Sequence, residues 1–290
     1  MANPIIAIIC DFDGTLGPDM ISFLLEEYGI DPKMFWDKIT SMVEEDGWDP
    51  AQAYLNEIVK YAKRNKIPDL TKTRLRRLGA KLQLFPGVPQ VFPELKRFVK
   101  TNAKLKSLTA PIELRYYIIS GGLEQMIRGT PVAKYAHAIF ACDFHYNLNG
   151  TVEAVKRTIS FTEKTKFIYA INKGIEQEIT LQPYRVNDAM EMAERPIPFA
   201  QMIYIGDGPS DIPCMSMIKQ NGGEGIGVSE TGKFKKGYEL ARGKRLSVGP
   251  YSADYRPKSD MRQVLHEILT ARGLDIDIEL RKKLVEAPRH

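Results

Sequence analysis

The chain has 290 residues, 43% hydrophobic and 27% charged, which suits one large buried core plus an accessory domain. Its 41 Lys+Arg against 36 Asp+Glu leave a net charge of +5, favouring anionic ligands without demanding nucleic acid. Three dispersed cysteines (Cys10, Cys142, Cys214), no signal-peptide pattern and no span-length apolar run argue against a disulfide framework, a zinc site, secretion and membrane insertion; a cytoplasmic monomer or homodimer is expected.

The first element is the apolar, β-branched run Ile5-Ile6-Ala7-Ile8-Ile9, the pattern of a strand covered on both faces of a parallel sheet. It ends in Cys10-Asp11-Phe12-Asp13-Gly14-Thr15. Two carboxylates this close repel one another unless a cation sits between them, and the carboxyl end of a buried strand is where open α/β sheets bind ligands.

Residues 18–84 carry helical signals and no strand signal. Ile21, Leu24, Leu25 and Tyr28 repeat at helical spacing before Gly29. Asp31-Pro32 and Asp49-Pro50 each read as an N-cap followed by Pro at the first helical position, and a fourth helix is expected between Asp69 and Leu84. Turn residues from Phe85 to Pro89 bring the chain back, with Gly17-Pro18 and Pro86-Gly87 as expected hinges. The basic run at 60–77 reads as a solvated helix face, useful to an anionic substrate only if it faces the cleft.

After a helix at 91–99, residues 116–122 read as a second buried strand ending in Ser120-Gly121-Gly122. Two bare glycines let backbone N–H groups close around an oxyanion, and Ser120 can donate to the same group. A third strand is expected at 138–142, and Asn149-Gly150 marks a hairpin. His137 and His145 have no partner at ligand spacing and read as structural. Ser160-Phe161-Thr162-Glu163 matches a capping box, and Gly174 a helix stop. Within that helix Lys164 shares a stripe with Ile168, Ile171 and Ile175, so it points inward and needs an anionic partner, whereas Lys166 points out. A helix is expected at 187–194, then the strand 201–205 followed by Gly206-Asp207-Gly208-Pro209-Ser210-Asp211, short strands at 223–228 and 246–248, and helices beginning at Ser259 and Asp277.

Three strand ends thus offer matching chemistry, and a buried lysine joins them. The set resembles the haloacid dehalogenase-like hydrolase superfamily: Asp11-Phe12-Asp13-Gly14-Thr15 is similar to its first motif, Ile118-Ile119-Ser120-Gly121-Gly122 to its second, Lys164 to its third and Gly206 to Asp211 to its fourth. The resemblance spans residues 5–211 and implies an α/β fold: a three-layer Rossmann-like core at 1–16 and 86–290 with a mostly parallel sheet, and an all-helical cap of the phosphoserine phosphatase type at 17–85.

It also implies a phosphatase for a small phosphomonoester. Asp11 is the implied nucleophile, forming an aspartyl-phosphate, and Asp13 the acid and then the base. Asp11, Asp207 and the carbonyl of Asp13 are the implied Mg²⁺ ligands. Ser120, Gly121 and Lys164 are expected to bind the phosphoryl group, with Asp211 orienting water or Lys164. Asp13 marks the phosphatases and phosphotransferases of the superfamily and argues against dehalogenation. Where phosphoserine phosphatases carry a substrate-binding glutamate this chain has Met20, beside Asp19, and Ser210 stands where they usually have asparagine. Phosphoserine is therefore not the expected substrate. The alternatives are a phosphotransferase of the same fold, a receiver-type signalling domain, and a nucleic-acid-binding protein on a retired hydrolase scaffold; nucleic acid is not the expected partner.

Overall fold

The structure, a computed structural model, describes residues 3–286 except residue 234. A seven-stranded sheet forms its centre: β1 (Ile5–Cys10), β2 (Glu113–Leu123), β3 (Ala136–Tyr146), β4 (Val152–Arg157), β5 (Met202–Gly206), β6 (Glu224–Ser229) and β7 (Val248–Ser252), in the order β4-β3-β2-β1-β5-β6-β7. Every pairing is parallel except the β3–β4 hairpin, which turns at Asn149-Gly150 with Gly150 at φ 78°. All six residues of β1 are buried, as the continuous apolar run requires of a central strand.

Strand order reverses beside β1. The chain winds outward through β2 and β3 on one side, then returns to place β5 on the other. Cys10 pairs with Ile118 of β2 and with Ile205 of β5, so the three strands end at nearly the same height. That reversal opens a crevice at their carboxyl ends, the usual ligand position in such sheets.

Alternation along β2 sends neighbouring tyrosines to opposite faces. Tyr116 meets Phe92 of α5 (Val91–Thr101), its ring 4.9 Å from the phenylalanine and its hydroxyl donating to the Phe92 carbonyl at 2.7 Å. Tyr117 donates to Glu176, just beyond α8 (Glu163–Lys173), at 3.2 Å. The α5 layer also holds α6 (Ala103–Lys106) and α11 (Asp260–Glu286), and the α8 layer holds α9 (Ile212–Gln220). Two short helices complete the core: α7 (Glu124–Gly129) after β2, and α10 (Lys235–Arg242), which is not among the helices expected above.

Between β1 and β2 run α1 (Met20–Glu26), α2 (Pro32–Glu44), α3 (Pro50–Lys63) and α4 (Lys72–Lys81). Asp31 and Asp49 cap α2 and α3, accepting from Lys33 N and Gln52 N. α4 lies directly on α7: a Cβ at Gly79 would collide with the Met126 carbonyl, and one at Gly129 with that of Arg76. Val152 N donates to Leu70 O at 2.9 Å, tying the same end of the insert to the hairpin.

Four expectations need correction. The helix with Lys164 starts at Glu163, and Thr162, in αR geometry, makes no side-chain cap bond, so the Ser160 capping box is not formed. Residues 187–194 hold only part of one 3-10 turn and a second at Met192–Glu194. Apolar residues there find no face to cover, Met192 being exposed, and the Val186 and Asp188 carbonyls accept from Lys173 Nζ instead. The last strand lies at Val248–Ser252, beyond the expected 246–248. The chain closes on one 27-residue helix, α11, in place of two. Gly273 lies within it, where Leu105 and Ile112 side chains pack close to the bare backbone.

The three cysteines are buried thiols, as expected. His137 and His145 pair with Glu176 and Glu153 at 3.3 and 3.6 Å, consistent with structural roles. No helix among the described residues is long and apolar enough to cross a membrane.

Candidate active site

Asp11 leaves the end of β1 and is nearly enclosed. Its Oδ1 accepts from Phe12 N at 2.7 Å, and its Oδ2 lies 3.0 Å from Lys164 Nζ. Burial pushes its pKa up to about 6; Lys164 pulls it back and Asp211 raises it again.

Lys164 comes from the second position of α8, on the inward stripe, and is fully buried. Besides Asp11 it reaches Asp211 Oδ1 at 2.7 Å and Ser210 Oγ at 3.3 Å. Burial opposes its charge, but the two carboxylates outweigh that and hold it protonated. Lys166 sits outside, 2.6 Å from Glu163.

Carboxylate oxygens of Asp11, Asp207 and Asp211 lie within 4.8 Å of one another. Asp211 is saturated: Oδ1 accepts from Lys164 Nζ and from the Tyr204 hydroxyl at 2.7 Å each, Oδ2 from the backbone N–H groups of Asp207 and Gly208 at 3.1 and 3.2 Å. A carboxylate offers about four lone-pair positions, so Asp211 has none left for a cation. Its work is to fix Lys164 and the start of the Asp207 loop. Gly206 permits this, since a Cβ there would strike the Asp211 carboxylate, and Gly14, at φ 72°, clears the Asp207 carboxylate in the same way.

Asp13 follows two residues after Asp11 and accepts from Met20 N at 3.0 Å. Burial, then the nearby charges of Asp19 and Asp11, push it well above the ordinary carboxylate range. That shift favours the protonated form that a leaving oxygen needs. Ser120, fully buried in β2, accepts from Gly122 N at 2.9 Å, leaving its own hydroxyl hydrogen to donate. The expected pair of free glycine donors is thereby reduced, because the Gly122 N–H is already taken. Gly121 lines the cleft, and its carbonyl accepts from the Tyr54 hydroxyl of α3.

The cleft has a volume of about 970 Å³ and runs from the acids between the insert and the loop after β6. Asp11, Asp13, Asp207, Ser210 and Gly121 all line it. None of the basic residues at 60–77 does. Their cations make local contacts instead: Arg74 with Tyr28, Lys72 over Tyr146, Lys66 over Tyr61 and Lys60 beside Glu57. Trp36 and Tyr54, which also line the cleft, are not distinguishable in sequence from other apolar residues at helical spacing. Nor does the sequence show that the Tyr204 hydroxyl would bond Asp211.

The parallel sheet, the reversal beside β1 and the acids at adjoining strand ends define a Rossmann-like α/β fold with an acidic cluster at its switch point. A family profile for haloacid dehalogenase-like hydrolases matches residues 8–216, and the chain belongs to that family. An uncharacterized protein of Borreliella burgdorferi is 31% identical over 235 residues, covering 74% of this chain and 78% of the relative. Among solved structures, a substrate-bound phosphoserine phosphatase superposes with a TM-score of 0.54 at 16% identity, covering 92% of this chain and all of the other. A haloacid dehalogenase family hydrolase from Salmonella enterica serovar Typhi gives 0.54 at 19% identity, over 92% of this chain and 72% of that one. The chain is thus an enzyme of the haloacid dehalogenase-like hydrolase family that shares the fold of the phosphoserine phosphatase and gathers three acids at its strand ends.

Proposed function

We propose that the chain is a Mg²⁺-dependent phosphatase for a small phosphomonoester, acting through an aspartyl-phosphate, the acyl phosphate of Asp11. The saturation of Asp211 carries this reading. It assigns that carboxylate to positioning and leaves Asp11 and Asp207, with the Asp13 carbonyl, as a hard all-oxygen donor set. Such a set fits Mg²⁺, which when bound would supply positive charge against the phosphoryl oxygens and offset the repulsion between the acids.

Asp11 attacks phosphorus as Asp13 gives its proton to the departing alcohol oxygen, so one displacement becomes two. Lys164, the Ser120 hydroxyl and the backbone at Gly121 neutralise the remaining phosphoryl charge. Asp13, now ionised, takes a proton from the water that hydrolyses the phospho-aspartate, which returns both carboxyl groups to their starting states. In a panel of phosphomonoesters, hydrolysis is expected with Mg²⁺, lost in a chelator and restored by added Mg²⁺. Phosphate transfer to an added alcohol in preference to water would favour a phosphotransferase. Salt-dependent nucleic-acid binding with no turnover at all would overturn the reading.

We assign residues 17–85 to a cap over this site, in a cytoplasmic enzyme. The contact of α4 with α7 and the Leu70–Val152 bond favour an anchored α4, so motion about Gly17-Pro18 and Pro86-Gly87 is expected chiefly in α2 and α3. With a fluoride complex that mimics the phosphoryl group, hydrogen exchange is expected to slow across α2, α3 and residues 121–123 and to stay unchanged in α4. Unchanged exchange throughout would mean a rigid helical subdomain.

A further inference from the structure

The same cleft carries information about the alcohol half of the ester, and the inference rests on the phosphatase reading above. Its wall on the insert side is aromatic. Trp36 of α2 and Tyr54 of α3 stand edge to face with their ring centroids 5.7 Å apart, and both line the cleft. Their polar handles are spent on the protein. The Trp36 indole N–H donates to Ser22 Oγ at 2.9 Å, and Ser22 in turn donates to Asp19. The Tyr54 hydroxyl donates to the Gly121 carbonyl. With those polar atoms occupied, both rings offer only apolar surface to a ligand when α2 and α3 lie over the site. From the core side Phe161 also lines the cleft, with 43% of its surface exposed. Covering the exposed face of this ring with an apolar group is favourable, because it removes apolar area from water.

Polar recognition of the alcohol has few groups to work with. Asp19 caps α1, its oxygens accepting from Ile21 N, Ser22 N and Ser22 Oγ. Met20 is fully buried, with its sulfur accepting from Leu123 N at 3.0 Å, so no carboxylate stands there for a substrate ammonium group. Glu230 at the outer rim is paired with Lys233 at 2.8 Å, Lys235 stands at the same rim, and Ser229 Oγ, without a hydrogen-bond partner among the described residues, is buried against Gly237. An amino-acid phosphate or a bare sugar phosphate needs several free donors and acceptors around its alcohol. This cleft offers rings.

We propose that the substrate is a phosphomonoester whose alcohol carries a flat, uncharged aromatic ring, held against Trp36 and Phe161 while the phosphate lies at Asp11. Stacking on an aromatic side chain is sequence-tolerant and strong enough to select by one to two orders of magnitude. The ring can be a nucleobase or an aryl group, and matched pairs separate the two sources.

The test compares kcat/KM for a nucleoside 5′-monophosphate against ribose 5-phosphate, and for phenethyl phosphate against 2-cyclohexylethyl phosphate. Within each pair the phosphoryl oxygen is chemically alike; in the first the base is replaced by the anomeric hydroxyl, and in the second the aromatic ring by a saturated one. The member with the aromatic ring is expected to win by about 10- to 100-fold in at least one pair. The winning pair identifies the source. Trp36→Leu and, at an exposed position that does not threaten folding, Phe161→Ala are each expected to shrink that ratio toward one. Binding of the preferred ester to the Asp11→Asn protein is expected to quench tryptophan fluorescence, and Trp36→Leu to remove the quench although Trp48 remains. Ratios near one in both pairs, or a ratio that neither variant changes, would overturn the ring preference while Asp11-dependent hydrolysis still upheld the phosphatase. Absence of Asp11-dependent hydrolysis of all four esters would remove both.

Discussion

Asp11→Asn is expected to lower phosphomonoester turnover by about 10⁴-fold or more while leaving the fold in place. The substitution keeps the shape of the side chain and removes the charge that attacks phosphorus. Its structural cost is small for a specific reason. The carboxylate is buried, and burial raises its pKa to about 6 in the folded chain, so its ionised form opposes folding near neutral pH. The sign follows from that direction: a folded pKa above the unfolded value means stability is lost as pH rises from the unfolded pKa through the folded one. Removing the group removes this penalty. Against it stands the loss of one of the two carboxylates facing Lys164, which keeps Asp211 at 2.7 Å. The amide can also turn its oxygen toward only one of its two donors, Phe12 N and Lys164 Nζ. The melting temperature of the metal-free protein is therefore expected to stay within a few degrees of wild type. Turnover within about tenfold of wild type would exclude a covalent phospho-Asp11.

Lys164→Ala and Lys166→Ala are expected to differ sharply although the residues are two apart. Lys164 has no exposed surface and holds two buried carboxylates, at 3.0 and 2.7 Å. Without it both acids are buried next to one another with no cation, a loss of about 3–5 kcal/mol of stability by the usual cost of breaking a buried pair. Turnover is expected to fall by about 10²–10³-fold, the scale seen when one preorganised donor to a developing anion is removed. Lys166 pairs with Glu163 at the surface, its side chain 31% exposed, and such pairs contribute about 0–1 kcal/mol. Its removal is expected to be almost silent in both melting temperature and kcat/KM. Lys164→Met, which fills the space without the charge, separates packing from electrostatics: kcat/KM close to wild type in that variant would show that the ammonium has no part in the chemistry.

Much of this architecture is written in local pattern. A strand buried on both faces needs a continuous apolar run, so Ile5 to Cys10 could be read as the central strand without knowledge of its neighbours. Asp31-Pro32 and Asp49-Pro50 mark helix starts because cap and proline act within one turn. Lys164 could be separated from Lys166 because 3.6-residue periodicity puts one inward and the other outward. Where local preference has no burial to support it the reading fails, as at residues 187–194, and where a glycine serves packing across the fold, as Gly273 does against Leu105, it looks like a stop and is not one.

The sequence by itself determined which residues carry charge and hydroxyl groups at three strand ends, since each motif lies within a few consecutive positions. Only the tertiary structure decided how those groups share their bonds. Sheet order set the ends of β1, β2 and β5 side by side, and the pairing of Cys10 with Ile118 and Ile205 set their height. Asp211 could look like a fourth metal ligand until two backbone amides of its own turn, Tyr204 of β5 and Lys164, 47 residues away, filled both its oxygens. Trp36 and Tyr54 are ordinary helix residues in sequence, and they become cleft wall because the insert folds back over β2 and the Tyr54 hydroxyl meets Gly121, 67 residues away. Hydrogen-bond saturation and cleft lining depend on atoms distant along the chain, and one-dimensional spacing carries no record of them.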